Sequence, residues 1–323
     1  MSRAVRVAVP AAEAELAADA LWRAGAAAIE ERPGELVAAL ADGGDPTMLV
    51  AAVASRWPAE VVTVDAGAAL DAWRAYARPV VVADRLVVRP PWVAPADPSA
   101  RRAPRDHDGA PDRLPGNHTG AQTSGPLSAA GRPPPGRDEE LLDIVIDPGR
   151  AFGHGAHPTT RLVLAALADL VLGGERVLDV GCGSGVLAVA ALALGADRAT
   201  GVDVDPAALA ATRDNAAHNG LAGRLQVIDD VACLDDPPGS YDLVVANMLL
   251  PDLVAVAPAV ASATARTGTV VLSGLLVAQR DAALAAYRAV GLNPVDEAAE
   301  LHAAVETDEQ DGGGWLALTL TAG

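Results

Sequence analysis

The chain has 323 residues, 51% of them apolar and only 3% aromatic, so it is long enough for two domains whose cores are built from Val, Leu and Ala rather than rings. Forty-two acids against 24 bases, all of them arginine, give a net charge of −18, which disfavours a general electrostatic grip on a nucleic-acid backbone and favours a cationic partner. Cys182 and Cys233 are too few for a disulfide framework and lack a metal-ligand spacing, and no run approaches the roughly 18 apolar residues of a membrane span.

Residues 3–9 (RAVRVAV) alternate as a strand, and Ala11 to Ala24 place Leu16, Ala20, Leu21 and Ala24 at helical spacing. A strand near Ala27 to Glu31, a turn at Pro33 and Gly34, and a strand from Leu36 to Leu40 form a hairpin. A helix from about Pro46 to Arg56 and a strand from Glu60 to Val64 complete a βαββαβ order. That order predicts a small α+β, ferredoxin-like domain over residues 1–66, an arrangement that by itself defines no chemistry. Residues 67–92 read as a connector with a helix end, two short strands and the aromatics Trp73, Tyr76 and Trp92. Residues 93–140 hold nine prolines, six glycines and six arginines but almost no bulky apolar residue, the composition of a disordered insertion. Asp97, Asp106, Asp108 and Asp112 dilute its basic charge, which favours a solvated linker over a contact arm.

From residue 141 to 323 strands and helices alternate. Strands are expected at Leu142 to Ile146, Arg176 to Val180, Ala199 to Val202, Leu225 to Ile228, Leu243 to Ala246, Thr269 to Ser273, Pro294 to Glu297 and Trp315 to Thr321. The expected fold is α/β, an open and mostly parallel sheet with helices on both faces, and ligands of such sheets sit beyond the carboxyl ends of the strands.

One such end carries the strongest signal. The apolar strand at 176–180 runs into Gly181, Gly183 and Gly185 and then an alanine-rich helix, so the backbone can pass close under a ligand at a helix N-terminus. Dinucleotide enzymes use a related turn, but Val186 occupies the place their fingerprint gives to glycine. The strand GVDVDP ends in Asp203, placed to accept hydrogen bonds from both ribose hydroxyls, which points to an adenosine ligand. Asp205, followed by Pro206, reads as the N-cap of the next helix. Asn247 ends another apolar strand at the same edge, where its amide can accept from an incoming amine and donate to a cofactor; a turn-forming Asn is the plainer alternative.

These residues resemble class I S-adenosylmethionine methyltransferases and, more closely, the bacterial methyltransferases of large-subunit ribosomal protein eleven. The resemblance is carried by DPGRAFGHGAHPTT (147–160), LDVGCGSGVLAVAALALGA (178–196), GVDVDPAALAATRDNAAHNG (201–220), VVANMLL (244–250) and LSGLL (272–276). It implies a Rossmann-like class I methyltransferase sheet as the catalytic domain, preceded by a ferredoxin-like substrate-recognition domain. It further implies S-adenosylmethionine as the cofactor, contacted by Thr160, Gly181, Asp203 and Asn247, to which the glycine turn itself adds Gly183 and Gly185. Asn247 and the Phe152 loop would position the acceptor. Thr160 rests mainly on the resemblance, with helix capping as its alternative.

The chain departs from the family pattern in three places. His154 and Ala156 stand where the family usually has threonines, Met248, Leu249 and Leu250 replace Ile-Leu-Ala after the asparagine, and the 93–140 segment far exceeds the usual linker. His154 and His157 lack a third ligand at a convincing spacing and methyl transfer from a sulfonium needs no metal, so no metal is expected. His157 would shape the loop before Pro158, and His154 is placed to face the substrate.

The function implied is N-methylation of lysine side chains of a basic ribosomal protein, most closely protein eleven of the large subunit, with its terminal amine as a further candidate, by a cytoplasmic enzyme with no direct nucleic-acid or membrane contact; the sequence leaves the oligomeric state open and a monomer is favoured. A methyltransferase for another protein or a small amine, and a non-catalytic cofactor-binding scaffold, are the competing readings.

Overall fold

A computed structural model describes residues 2–10, 13–32, 34–40, 45–64, 78–95, 141–147, 155–301 and 314–322. The chain forms two compact units, 1–78 and 79–323.

The first unit runs β1 (Ser2–Ala8), α1 (Ala14–Arg23), β2 (Ala26–Arg32), β3 (Glu35–Leu40), α2 (Pro46–Val53) and β4 (Ala59–Val64). Its sheet order is β2-β3-β1-β4, every pair antiparallel, which is the ferredoxin-like arrangement. The alternation in β1 turns Val5 and Val7 into a core shared with Ala17, Leu21, Leu36, Leu49 and Val53. Asp45 starts α2 by accepting a hydrogen bond from the Thr47 amide at 3.0 Å, with Pro46 in the first turn where its missing N–H costs nothing. The helix ends at Val53, three residues short of the expected Arg56, and Trp57 seals this end by donating from Nε1 to Glu13 Oε2 at 2.6 Å.

The second unit opens with β5 (Val80–Val82) and β6 (Leu86–Arg89), joined through Ala83 and Asp84, both at positive φ. These are the two short strands expected in the connector. They belong to the second unit, because β6 pairs in parallel with β7 (Leu142–Val145). The expectation that the strand at 142–146 would join the main sheet is therefore corrected: it completes a separate three-stranded sheet, β5-β6-β7, and buries Ile144 and Ile146 against Val163, Leu164 and Leu167.

After β7 follow α3 (Pro158–Leu170), β8 (Arg176–Val180), α4 (Val186–Leu194), β9 (Arg198–Val202), α5 (Pro206–His218), β10 (Leu225–Ile228), β11 (Tyr241–Asn247), α6 (Leu250–Ala263), β12 (Thr264–Leu276), α7 (Arg280–Ala289), β13 (Leu292–Leu301) and β14 (Gly314–Ala322). The order of the seven-stranded sheet is β10-β9-β8-β11-β12-β14-β13. The pairs from β10 to β12 are parallel, and those from β12 through β14 to β13 are antiparallel. β8 and β11 are buried from Val177 to Val180 and from Leu243 to Ala246, as central strands covered on both faces must be. The order reverses between β8 and β11, which opens a crevice at their carboxyl ends. β13 is longer than the expected Pro294 to Glu297 because it lies at the sheet edge, where Asp296, Glu297 and Glu300 are tolerated and mask its pattern.

All but the first three residues of the 93–140 segment fall outside the described residues. Both of its flanks are held by one side chain. Arg89 donates from Nη1 to the Val93 carbonyl at 2.6 Å and from Nη2 and Nε to Asp143 at 2.8 and 2.9 Å. Replacing 98–136 by a Gly/Ser linker of about ten residues still lets the chain return along the short parallel pair. Loop-closure entropy changes by only about 1 kcal/mol. The melting temperature of the shortened chain is thus expected within about 4 °C of the parent, read by calorimetry, and a larger fall would show that the segment packs on the fold.

Candidate active site

The glycine turn follows β8 directly. Gly181, Gly183 and Gly185 hold φ of 75°, 55° and 78°, a region closed to most side chains, and this is why three glycines are needed. The Gly181 and Cys182 amides donate to the Val202 carbonyl at 2.8 and 3.0 Å, folding the turn against the end of β9. Helix α5 fixes it from behind. Thr212 Oγ1 donates to the Gly183 carbonyl at 2.9 Å, and Asn215 Nδ2 donates to the carbonyls of Ser184 and Asp147 at 2.9 and 2.8 Å. With those carbonyls engaged, Gly181, Cys182 and Gly183 line a cleft of about 520 Å³ at the switch point.

Asp203 ties the turn to the next strand. Its Oδ2 accepts from the Gly183 amide at 2.9 Å and its Oδ1 from the Asp205 amide at 3.0 Å. A carboxylate offers about four lone-pair sites, so two remain for a vicinal diol in the cleft. Asp205 turns away and caps α5 by accepting from the Ala207 amide at 2.9 Å, the structural role expected of it. Asp229 and Asp230, just past β10, and Asp252 in the first turn of α6 add carboxylates to the wall; Val204, Val231 and Val256 add apolar surface. Val204 is 87% exposed, an apolar face beside Asp203 that a flat ring system would cover.

On the other side, Asn247 ends β11 and donates from Nδ2 to Thr160 Oγ1 at 3.3 Å, which leaves Oδ1 with no partner among the described residues. Thr160 is buried in the first turn of α3, and it does not cap that helix. His157 does, accepting from the Thr159 amide at its Nδ1 at 3.3 Å while its ring edge packs on Trp315.

Thr160, Gly181, Gly183, Asp203 and Asn247 thus line one cleft. Gly185 does not reach its wall. It starts α4, where a Cβ would fall 2.8 to 3.0 Å from three atoms of Thr212, so its glycine serves helix packing. Phe152 and His154 lie outside the described residues. Sequence reasoning passed over Thr212, Asn215, Asp229 and Asp230, and noted Met248 only as a departure from the family pattern. A strand-end rule applied to β10 finds Asp229; Thr212 and Asn215 bracket the polar run TRDN in an otherwise alanine-rich helix, three apart and so on one face.

Behind the turn, Asp179 is wholly buried. Loss of solvent pushes its carboxyl up to about 7, opposed by the Ala188 amide and aided by the charge of Asp203. Burial likewise pushes the Cys182 thiol up, so it stays protonated and inert.

A sheet of this order, with a glycine turn after its first central strand and a carboxylate ending the next, is the Rossmann-like fold of class I methyltransferases. The family profile described as ribosomal protein L11 methyltransferase (PrmA) matches residues 130–302, and the chain belongs to that family. It is 48% identical over 151 residues to a ribosomal protein L11 methyltransferase of Thiobacillus denitrificans, covering 47% of this chain and 49% of that protein. It is 46% identical over 167 residues to one from Edwardsiella ictaluri, covering 50% and 55%. The chain spans about half the length of these curated relatives. A crystal structure of a ribosomal protein L11 methylase from Lactobacillus delbrueckii subsp. bulgaricus aligns with a TM-score of 0.48 and 28% identity, over 59% of this chain and 90% of that one.

Proposed function

We propose that the chain is an S-adenosylmethionine-dependent N-methyltransferase acting on lysine side chains, and on the terminal amine, of ribosomal protein L11 in the cytoplasm. The observation that carries this reading is the convergence of Asp203, the glycine turn and the Asn247 amide on one cleft. The residues present fit the cofactor: Asp203 keeps acceptor sites for a ribose diol, the turn presents the bare backbone of Gly183 to the cleft, and the valine wall suits an adenine ring. When bound, S-adenosylmethionine supplies a methyl group activated by a cationic sulfur.

The chain then has to hold an amine in line with that group, and proximity of this kind supplies most of what the reaction needs. Asn247 Oδ1 accepts an N–H of the neutral amine and thereby aims its lone pair into the cleft. Thr160 keeps the amide in that orientation. A lysine ammonium must first lose its proton, at a cost of about 4 kcal/mol near neutral pH. No obligatory side-chain base is required, and water takes the proton. The net charge of −18 draws a basic protein toward the site, and the ferredoxin-like unit is the module proposed to dock it. Among the described residues no helix is long and apolar enough to cross a membrane.

Incubation with methyl-labelled cofactor and purified ribosomal protein L11 is expected to label lysines, read by mass spectrometry. Cofactor binding without label transfer would remove the proposed acceptor. The departures at His154, Ala156 and Met248 favour, as a second reading, a different amine acceptor, which would appear as one labelled band of another mass in a cell lysate.

A further inference from the structure

Two glycine-bearing segments meet at Met248, a residue with no part in the proposed chemistry. Its side chain lies over Gly181, where a Cβ would fall 2.7 Å from Met248 Cγ and closer still to Sδ. A flexible thioether can move aside. Its main chain lies against Gly274 in β12, where a Cβ would fall 2.7 Å from the Met248 carbonyl carbon, 2.8 Å from its nitrogen and closer still to its oxygen. No rotamer change relieves that contact, because every atom in it is backbone.

The notch at Gly274 is a local feature of β12. Gly274 holds φ of 83°, and the register of β12 against β14 slips between Leu272 and Leu275. The Met248 amide donates to the Ser273 carbonyl at 3.2 Å, locking the peptide that follows Asn247 into the space a side chain would fill.

We propose that Gly274 is a positioning residue for the acceptor amine, setting the depth of Asn247 in the cleft through the Met248 main chain it admits. The inference rests on the reading of Asn247 as the group that holds the amine. A Cβ at position 274 displaces the 248 peptide and, with it, the Asn247 backbone that carries Oδ1. Misplacement of a reacting group by about 1 Å costs on the order of 10²-fold in rate. Asp203 and Gly183 lie on other elements, and the cofactor contacts they make stay in place.

The test pairs Gly274→Ala with Gly291→Ala. Gly291 has φ of 86° and nothing within 4 Å of a built Cβ, so the two substitutions share left-handed strain and differ in the obstacle alone. Gly274→Ala is expected to lose more thermal stability than Gly291→Ala, because it alone meets an obstacle, and both folded variants to bind S-adenosylmethionine within about threefold of the parent by calorimetry. The kcat of Gly274→Ala is expected to fall about tenfold or more with KM for the cofactor unmoved, and that of Gly291→Ala to stay at the parent value. Equal kcat in the two variants overturns the proposal. Should Gly274→Ala fail to fold, Gly274→Asn against Gly291→Asn repeats the comparison, because asparagine tolerates the left-handed region yet still carries a Cβ. A parent protein that transfers no methyl group to any amine overturns the reading beneath the proposal and the proposal with it; that outcome is separable, since equal kcat values require an active parent.

Discussion

Asn247→Ala is expected to lower kcat by about 10²–10³-fold while weakening S-adenosylmethionine by only about fivefold. The asymmetry follows from what each half of the amide does. Nδ2 is engaged with Thr160 and reaches the cofactor through at most one neutral hydrogen bond, the kind of contact whose loss costs about 1 kcal/mol. Oδ1, without a partner among the described residues, is the acceptor proposed to aim the amine, and removing a preorganised polar group that acts on the reacting atoms costs about 3–4 kcal/mol of barrier. Thr160→Val keeps Oδ1 but frees the amide to rotate, so its kcat should fall between the parent and Asn247→Ala. Single-turnover rates together with calorimetric cofactor affinities give the two numbers separately. Equal losses in both would make Asn247 a cofactor ligand only, and an unchanged kcat would return it to the role of a strand-ending turn residue.

How much of this site was legible in the sequence depends on whether a residue acts through its own strand or through a neighbour. Gly181, Gly183, Asp203 and Asn247 stand at the ends of apolar runs, and the strand-end rule places each at the carboxyl edge without knowledge of the sheet order. Gly185 satisfies the same glycine pattern, yet its neighbour is Thr212 on α5, ten positions past Val202 at the end of β9, and no local pattern reveals that contact. The Met248 and Gly274 contact is hidden for the same reason: it exists because β12 slips register, a property of its pairing with β14. β7 shows where fold-level reading stopped. Its residues announce a strand, but the partner that takes it out of the main sheet, β6, lies on the far side of the proline-rich segment. The first unit was easier, since short loops leave few alternatives to the order β2-β3-β1-β4.

Asp179 carries the largest expected effect on stability. It sits in β8 among Val177, Leu178 and Val180, all buried, with Oδ2 accepting from the Ala188 amide at 3.1 Å and Oδ1 without a hydrogen-bond partner among the described residues. Burial pushes its carboxyl up from 3.8 to about 7, so between roughly pH 4 and pH 7 the folded chain keeps a proton that the unfolded chain has released. Stability from this group is therefore fully present below pH 4 and declines as pH rises toward 7, by about 4 kcal/mol in all. Asp179→Asn is isosteric with the neutral acid, keeps an oxygen for the Ala188 amide, and cannot ionise. The variant should match the parent near pH 4 and exceed it at pH 8, by roughly 10 °C in melting temperature for a unit of this size. Asp179→Ala leaves the Ala188 amide unpaired and a cavity beside it, and near pH 4, where the parent's acid is neutral, it should be the least stable of the three. Melting curves of parent and Asp179→Asn that run parallel from pH 4 to pH 8 would show that the carboxyl is ionised throughout, with a counter-charge or solvent reaching Oδ1.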